Sequence, residues 1–280
     1  MNKKWMMSCV VAVLGVAALA EEVPEVTPKV DTAAELAKKL SNPIASLISL
    51  PIQANYDHGY GADGKGSVWR VNIQPVIPIS LSEDWNLISR TIVPLVEQDL
   101  SGKNFDESGL GDVVQSLFLS PVEPTDNGWV WGAGPVFLLP TATDSHLGAE
   151  QWGIGPTAVA LKQVGAWTVG GLCNHIWSVA GERGRVDMNA NRADVNATFI
   201  QPFLSYLTPT KTTLALNMES TYDWDAAQWS VPINLTAMQM LKIGSQMMQF
   251  GGGVRYWADS PENGPDGWGA RIQLTFIFPK

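Results

Sequence analysis

The chain has 280 residues and carries 27 acidic against 18 basic side chains, which gives a formal net charge of −9 at pH 7. This balance argues against a nucleic-acid partner, because nucleic acid selects a basic surface. After residue 20 the sequence has no apolar run of roughly 18 residues, so it predicts no transmembrane helix.

The N-terminus has the three parts of a secretory signal peptide. A basic start at residues 1–4 precedes an uncharged apolar run at 6–19, and Ala-Leu-Ala at 18–20 forms a small-x-small cleavage site. The alternative is a retained membrane anchor, for which the run is short. We predict that residues 1–20 are removed on export, which leaves Cys173 as the single cysteine and therefore no internal disulfide.

A short helix is predicted at residues 31–40. Thr32 and Glu35 fit a capping box, Leu36 and Leu40 share one face, and the pair Asn42-Pro43 ends the helix. We assign residues 21–46 to an N-terminal periplasmic segment. The sequence leaves open whether this segment stays in the periplasm or folds into the mouth of a barrel built from the later residues.

From residue 48 onward the chain alternates between apolar and polar residues with a period of two, which is typical of strands. The twelve candidate strands are, in order, 48–56, 67–79, 85–96, 109–120, 129–139, 152–161, 167–178, 194–206, 213–224, 229–238, 247–258 and 268–278. Strands four to six and eight of this series alternate poorly, so the sequence does not predict which of their faces points inward.

The hairpin formed by strands nine and ten is the clearest of these. One face of its first arm is apolar and ends in Tyr222 and Trp224, while the other carries Glu219 and Asp223. Residues 225–228 form a polar break before the second arm. Each arm has roughly the 9–11 residues that a tilted strand needs to cross a bilayer.

The twelve strands together predict a barrel. Their number is even, and the breaks between them tend to alternate between long and short, as in single-chain outer-membrane barrels. The predicted fold is therefore all-β: an antiparallel up-and-down transmembrane β-barrel of about twelve strands at residues 47–280, with one short N-terminal helix. A soluble β-sandwich is the alternative.

Tryptophan placement favours the barrel, because the tryptophans fall near strand ends, where an interfacial aromatic girdle would lie, rather than mid-strand. The predicted girdle residues are Trp69, Trp85, Trp129, Trp131, Trp152, Trp167, Trp177, Trp224, Trp229, Trp257 and Trp268. This arrangement implies outer-membrane lipid and lipopolysaccharide as partners.

The last strand adds a second signal. Ile272, Leu274, Phe276 and Phe278 alternate with polar residues. This pattern resembles the C-terminal signal read by the outer-membrane assembly machinery, although the chain continues for two residues, 279–280, beyond the aromatic end.

A set of short strings, including Leu139-Pro140-Thr141-Ala142-Thr143, resembles the family named for the MetA pathway of phenol degradation. The matching strings lie at 42–51, 74–78, 83–90, 109–112, 132–135, 139–143, 153–156, 194–196 and 255–257, and the resemblance covers nearly all of 42–280. It implies an outer-membrane transporter linked to uptake of small organic compounds, including aromatic ones. It implies no catalytic motif and no cofactor.

The polar phase of the strands predicts the lining of the lumen. Four arginines lie on strands two, three, eleven and twelve, which form one arc through strand one, and two carboxylates lie outside it on strand nine. The candidate luminal residues are Arg70, Arg90, Arg255, Arg271, Gln53, Asn55 and Gln74 in the arc, with Glu219 and Asp223 outside it. We expect the arc to face the carboxylates across the lumen and to select solutes. The alternative is that these charges pair and plug the barrel.

No catalytic or metal site is predicted. The histidines, at 58, 146 and 175, are far apart in sequence. His175 and Ser178 are the nearest candidate for a hydrolase site, but their spacing on one strand points them to opposite faces. The acidic loops 97–108 and 259–267 match no cation cage.

The sequence therefore predicts a passive channel for small organic solutes in the outer membrane of a Gram-negative bacterium. Two alternatives stay open, a structural or adhesion barrel without transport and an outer-membrane hydrolase. The solute and the oligomeric state are not predicted.

Overall fold

The computed structural model describes residues 32–100, 105–181 and 194–278. The predicted signal peptide, the start of the N-terminal segment and residues 279–280 lie outside the described residues. No helix in these three ranges has the length and apolar character needed to cross a membrane.

The described chain contains one helix and sixteen strand segments. They are α1 (Ala33–Leu40), β1 (Ile48–Tyr60), β2 (Gly66–Ile73), β3 (Val76–Ser80), β4 (Trp85–Leu100), β5 (Phe105–Leu110), β6 (Val113–Pro121), β7 (Trp129–Leu139), β8 (Gln151–Val164), β9 (Trp167–Gly181), β10 (Asn196–Leu207), β11 (Thr212–Met218), β12 (Ser220–Asp223), β13 (Gln228–Ser230), β14 (Pro232–Ile243), β15 (Gln246–Trp257) and β16 (Gly267–Phe278). Thr32 caps α1 and forms the predicted capping box with Glu35.

The sixteen segments make twelve antiparallel barrel strands, because four of the strands are each interrupted once. The pairs β2 and β3, β5 and β6, β11 and β12, and β13 and β14 each form one strand. β16 pairs with β1 and β10 pairs with β11, which closes the sheet on itself. The predicted fold class, an all-β closed antiparallel barrel of twelve strands with one short helix, is confirmed.

The hairpin predicted from strands nine and ten is present in a single register. Thr212 lies opposite Gln239 at one end, and Asp223 lies opposite Gln228 at the other. Its interruption falls at Glu219, whose backbone N–H donates to the carbonyl of Pro232. The hairpin therefore keeps its register through the break, and the side chain of Glu219 stays on the inner face.

The two ends of the barrel differ in their connections. At one end, here called the turn end, five connections of two to seven residues join the strands: 81–84, 122–128, 165–166, 208–211 and 244–245. The other end, the loop end, includes the longer connections 140–150 and 258–266.

The outer wall of the barrel is apolar and rich in exposed aliphatic and aromatic side chains. Nine of the eleven predicted girdle tryptophans are among the exposed large hydrophobic residues, and Trp85 packs edge-on against the outward Trp131. Trp257 is a correction, because its indole N–H donates to the carboxylate of Asp57 inside the barrel at 2.8 Å. Its place on the inner phase of β15, two residues after Arg255, explains this orientation.

The described part of the N-terminal segment packs inside the turn end, a placement that the sequence leaves open. Leu36 and Ala37 are buried in a cluster with Met240 and Ile277 of the barrel wall. Ile44 is buried in a second cluster; its other buried members are Val76, Ile88, Phe118, Val159, Leu161 and Leu172. Residues 32–47, here called the plug, therefore fill the barrel at this end.

Hydrogen bonds also hold the plug in place. The side-chain amide of Gln163 donates to the carbonyl of Lys38 at 2.9 Å, and that of Asn86 donates to the hydroxyl of Ser46 at 3.0 Å. The plug is thus attached to the walls on two sides, by β8 and by β4.

Candidate functional site

A cavity of about 560 Å³ lies inside the barrel above the plug. Its floor is formed by residues of the plug between 39 and 47, and its walls are inward side chains from many of the strands. Three cationic side chains, Lys39, Arg90 and Arg271, and one carboxylate, Glu219, line it. The lining is therefore cationic within a chain whose formal net charge is −9.

A network of ion pairs covers the wall formed by β11, β15 and β16. Glu219 accepts two hydrogen bonds from Arg271, from Nη1 at 2.9 Å and from Nη2 at 2.6 Å. Nη1 of Arg255 donates to the same carboxylate at 3.3 Å. Nε of Arg255 lies 3.0 Å from Oδ1 of Asp57. The paired arginines are almost fully buried, with side chains 7% and 3% exposed.

Neutral groups complete this network. The side-chain oxygen of Asn55 accepts from Nε of Arg271 at 2.7 Å, and Asn234 contributes an oxygen 3.4 Å from Arg255. The guanidinium of Arg255 also lies 4.8 Å from the centre of the Trp257 ring, a cation–π contact. Buried charges are stable only when paired and hydrogen-bonded in this way, so the network is a fixed part of the wall.

Arg90, on β4, has a different environment. One of its terminal nitrogens donates to the side-chain oxygen of Gln74 at 3.0 Å. Among the described residues no carboxylate lies within 4.0 Å of it, which sets it apart from Arg255 and Arg271. Arg90 faces the cavity without a direct ion pair, and the charge of Glu219 acts on it only from beyond 4.0 Å.

The opposite wall is largely apolar, although Asn174 and Gln201 also line the cavity there. Its inward side chains from β6, β7, β9 and β10 include Val114, Leu138, Ile176, Phe199 and Phe203. Towards the turn end this side passes into the buried cluster around Ile44. The cavity is thus amphipathic, with the charged groups on one side and most of the aliphatic and aromatic groups on the other.

Seven of the nine predicted luminal residues lie in the cavity lining or in the ion-pair network. Gln53, Gln74, Arg90, Arg271 and Glu219 all line the cavity. Arg255 and Asn55 lie in the ion-pair network behind it.

The last two predicted residues lie elsewhere. Arg70 is exposed and is not part of the cavity lining. The carboxylate of Asp223 accepts the backbone N–H groups of Asp225 and Ala226, so it caps the hairpin turn.

The expected facing across the lumen is corrected for Arg255 and Arg271, whereas Arg90, six strands away from Glu219 around the barrel, does interact electrostatically with that carboxylate. Glu219 lies between β11 and β12 and meets Arg255 and Arg271 from β15 and β16 along one wall, at hydrogen-bond distance. One barrel strand separates Glu219 from Arg255, and two separate it from Arg271, so the pairing is lateral.

Sequence reasoning missed Asp57 and Asn234 as partners of this network. Asp57 continues the inward phase of Gln53 and Asn55, but its position beside a run of Gly and Asp places it in the predicted loop. Asn234 lies on the polar phase of the hairpin's second arm. Extending the alternation of strand one by one further position would have found Asp57.

The candidate hydrolase pair is not assembled. His175 binds the hydroxyl of Thr198 at 2.7 Å and stacks on Trp177 at 4.0 Å between ring centres. The hydroxyl of Ser178 instead accepts the backbone N–H of Val195 at 3.1 Å. The two side chains therefore have separate partners.

No family model matches the chain, and no curated protein sequence matches it. Among solved structures, the fold is similar to an outer membrane channel from Pseudomonas putida F1, with a TM-score of 0.63 and 16% identity over 83% of this chain and 96% of that one. The NanC porin gives a TM-score of 0.49 at 10% identity, covering 82% of this chain and 100% of that one. An outer membrane phospholipase from Salmonella typhi gives 0.44 at 11% identity, covering 89% and 99%. At these identities the likeness to the first structure shows the fold, and the two lower scores add nothing to it.

Proposed function

We propose that the protein is an outer-membrane channel of a Gram-negative bacterium, through which small organic solutes diffuse passively. The observation that carries this proposal is a closed barrel with an apolar outer wall and a cavity of about 560 Å³ lined by charged and amide side chains. A polar interior inside an apolar exterior is what a pore through a bilayer needs.

Membrane insertion is supported by the outer surface. Exposed aliphatic residues such as Leu214, Leu216 and Leu235 cover the middle of the hairpin, and tryptophans lie towards strand ends. Short turns face the periplasm in barrels of this kind, so we assign the turn end and the plug to the periplasmic side. In this proposal residues 1–20 direct export, and lipid and lipopolysaccharide surround the barrel.

The outward face of β16 supports an assembly role. Ile272 and Phe278 are exposed on the outer wall in strand β16, which pairs with β1 to close the barrel. We propose that this strand is read by the outer-membrane assembly machinery before closure.

The solute class rests on the resemblance to the MetA-pathway family together with the character of the cavity. That resemblance implies uptake of small organic compounds, including aromatic ones. An amphipathic cavity with Phe199 and Phe203 on one side and Arg90 and Gln74 on the other suits such solutes better than it suits a sugar or a metal ion.

The test is single-channel conductance of the purified, folded protein in a planar bilayer, with and without residues 21–46. The plug packs against both sides of the turn end, so we expect small conductance from the full chain and a several-fold larger one after truncation. Heat-dependent migration in detergent gels serves as the control for folding of both forms. A folded barrel that passes no current in either form would contradict the channel and favour a structural barrel.

A further inference from the structure

We infer that the cavity is a binding site for a small organic monocarboxylate, with Arg90 holding the carboxylate and the apolar wall holding the carbon skeleton. This inference deepens the proposed channel function and rests on it, since it names the class of solute that the route admits.

The charge argument begins with the contrast among the luminal arginines. Arg255 and Arg271 share Glu219, and Arg255 also pairs with Asp57, so both arginines have carboxylate partners within the protein. Arg90 lies in the same lumen without a carboxylate within 4.0 Å among the described residues. Glu219 acts on the charge of Arg90 only from a distance. A partly desolvated guanidinium that is not directly paired is a site for an anion, and a planar carboxylate fits its fork of N–H donors.

The surroundings of Arg90 are suited to orient that anion. The hydrogen bond from Arg90 to Gln74 uses one N–H and fixes the guanidinium, because Gln74 is itself only 8% exposed. Its other N–H groups form no hydrogen bond with another described residue. Asn72 and Gln53 line the same cavity, and side-chain amides carry N–H donors from which a carboxylate can accept.

The apolar side of the cavity selects what the carboxylate is attached to. Phe199 and Phe203 from β10 line it together with Ile176 and Leu138. These apolar groups make no favourable contact with an inorganic anion, whereas an aromatic or branched aliphatic group would bury its apolar surface against them. A volume of about 560 Å³ also lies in the range typical of small-molecule sites.

A cationic ligand fits this site poorly. Glu219 is the single carboxylate of the lining, and Arg271 and Arg255 already occupy both of its oxygens. A neutral ligand would fill the apolar side but leave Arg90 without a directly paired anion. A monocarboxylate satisfies both sides at once.

The experiment is equilibrium binding of radiolabelled benzoate to the folded full chain in detergent micelles at pH 7. Benzamide, benzylamine and acetate are the competitors, because they remove the charge, invert it or remove the ring. We expect benzoate to compete at least about tenfold better than benzamide and benzylamine, since a hydrogen bond to a charged group is worth about that factor. We expect a similar advantage over acetate, because the ring buries apolar surface that acetate lacks.

Two matched variants locate the site. Arg90→Gln should weaken benzoate binding at least about tenfold, while Arg70→Gln, which removes an exposed arginine outside the cavity, should leave it unchanged. Phe199→Ala should weaken benzoate binding without altering acetate binding. Should Arg90→Gln fail to fold, the competition series on the unmodified chain still decides the matter.

The inference is overturned if benzamide competes as well as benzoate, or if folded Arg90→Gln binds benzoate with unchanged affinity. Benzoate binding that depends on Arg90 in a protein that passes no current would keep the site and remove the channel. Current that is indifferent to Arg90, with no benzoate binding, would keep the channel and remove the site.

Discussion

At the scale of single residues, the luminal ion-pair network is the most consequential feature. Glu219 binds the arginines of β15 and β16 and is placed by the interruption between β11 and β12. Buried ion pairs add little net stability over an apolar wall, but removing one partner leaves the other charges buried and unpaired. The network therefore fixes the shape and the charge of this wall.

Glu219→Gln tests that role. It leaves Arg255 and Arg271 with Asp57 as the one remaining carboxylate of the network, so we expect a loss of about 3 kcal/mol in the free energy of unfolding. The lumen also loses a negative charge, so the reversal potential in a salt gradient should shift towards anion preference. Urea unfolding in micelles and bilayer recordings measure the two effects.

Asp223→Asn is the control for this prediction. Asp223 lies four residues later on the same face, yet its carboxylate binds two backbone N–H groups of the hairpin turn. We expect a loss of at most about 1 kcal/mol and no shift in the reversal potential. Equal shifts from both variants would show that total charge, rather than the network, sets selectivity.

At the scale of elements, strand packing depends on places where two backbones approach closely. A Cβ atom at Gly155 on β8 would collide with the backbone carbonyl oxygen of His175 on β9. At Gly171, also on β9, the nearest atom would be 3.8 Å away. The two glycines thus occupy one strand pair with opposite tolerance for a side chain.

Gly155→Ala should therefore destabilise the barrel, by about 1–3 kcal/mol, because the strands must separate to admit the methyl group. Gly171→Ala should be neutral or slightly stabilising, by up to about 1 kcal/mol, because alanine restricts the unfolded chain. Guanidinium-induced unfolding measures the free energy of unfolding of both variants. A Gly155→Ala protein as stable as the Gly171→Ala protein would contradict the prediction.

The sequence predicts the strands far better than it predicts their inner faces. The strands can be located because an apolar outer face recurs along the chain between polar breaks, and on most of them it alternates with polar residues at a period of two. Strands β6 to β8 lack that period since their inward residues Phe118, Val136 and Val159 are apolar too. Phe118 and Val159 pack with Ile44 of the plug, a contact between distant parts of the chain that no local pattern records.

The candidate site is predictable in part for the same reason. Arg90 and Arg271 are identifiable because alternation assigns them to the inner phase, whereas the partner of each arginine depends on register between neighbouring strands. Trp257 lies near a strand end, which suggests the outer girdle. Its phase, two residues after the inward Arg255, correctly indicates the inner face. Register and phase, more than residue type, limit what the sequence shows.

At the scale of the whole molecule, the barrel separates three environments. The outer wall is apolar, one inner wall is charged and the other inner wall is largely apolar, with the plug covering the turn end. This division accounts for a chain that is acidic overall and yet carries a cationic cavity. It also makes the depth of each outward residue in the bilayer a testable property.

Leu216→Lys and Ile243→Lys test that depth. Both side chains are outward and exposed, but Leu216 lies within β11 in a strand that continues to Asp223, while Ile243 is the last residue of β14 at the turn end. In phospholipid vesicles we expect Leu216→Lys to cost about 2–4 kcal/mol of unfolding free energy and Ile243→Lys about 0–1 kcal/mol.

The comparison distinguishes a bilayer from water as the outer solvent. In a hydrocarbon core a lysine near mid-strand has no water to solvate it, whereas a lysine at the rim extends its ammonium group into the interface. A water-soluble barrel would tolerate both substitutions about equally, because both side chains are already exposed. Equal losses of unfolding free energy would therefore contradict membrane insertion, although the barrel fold would stand. A loss that depends on depth would place the barrel, and the cavity inside it, in the membrane.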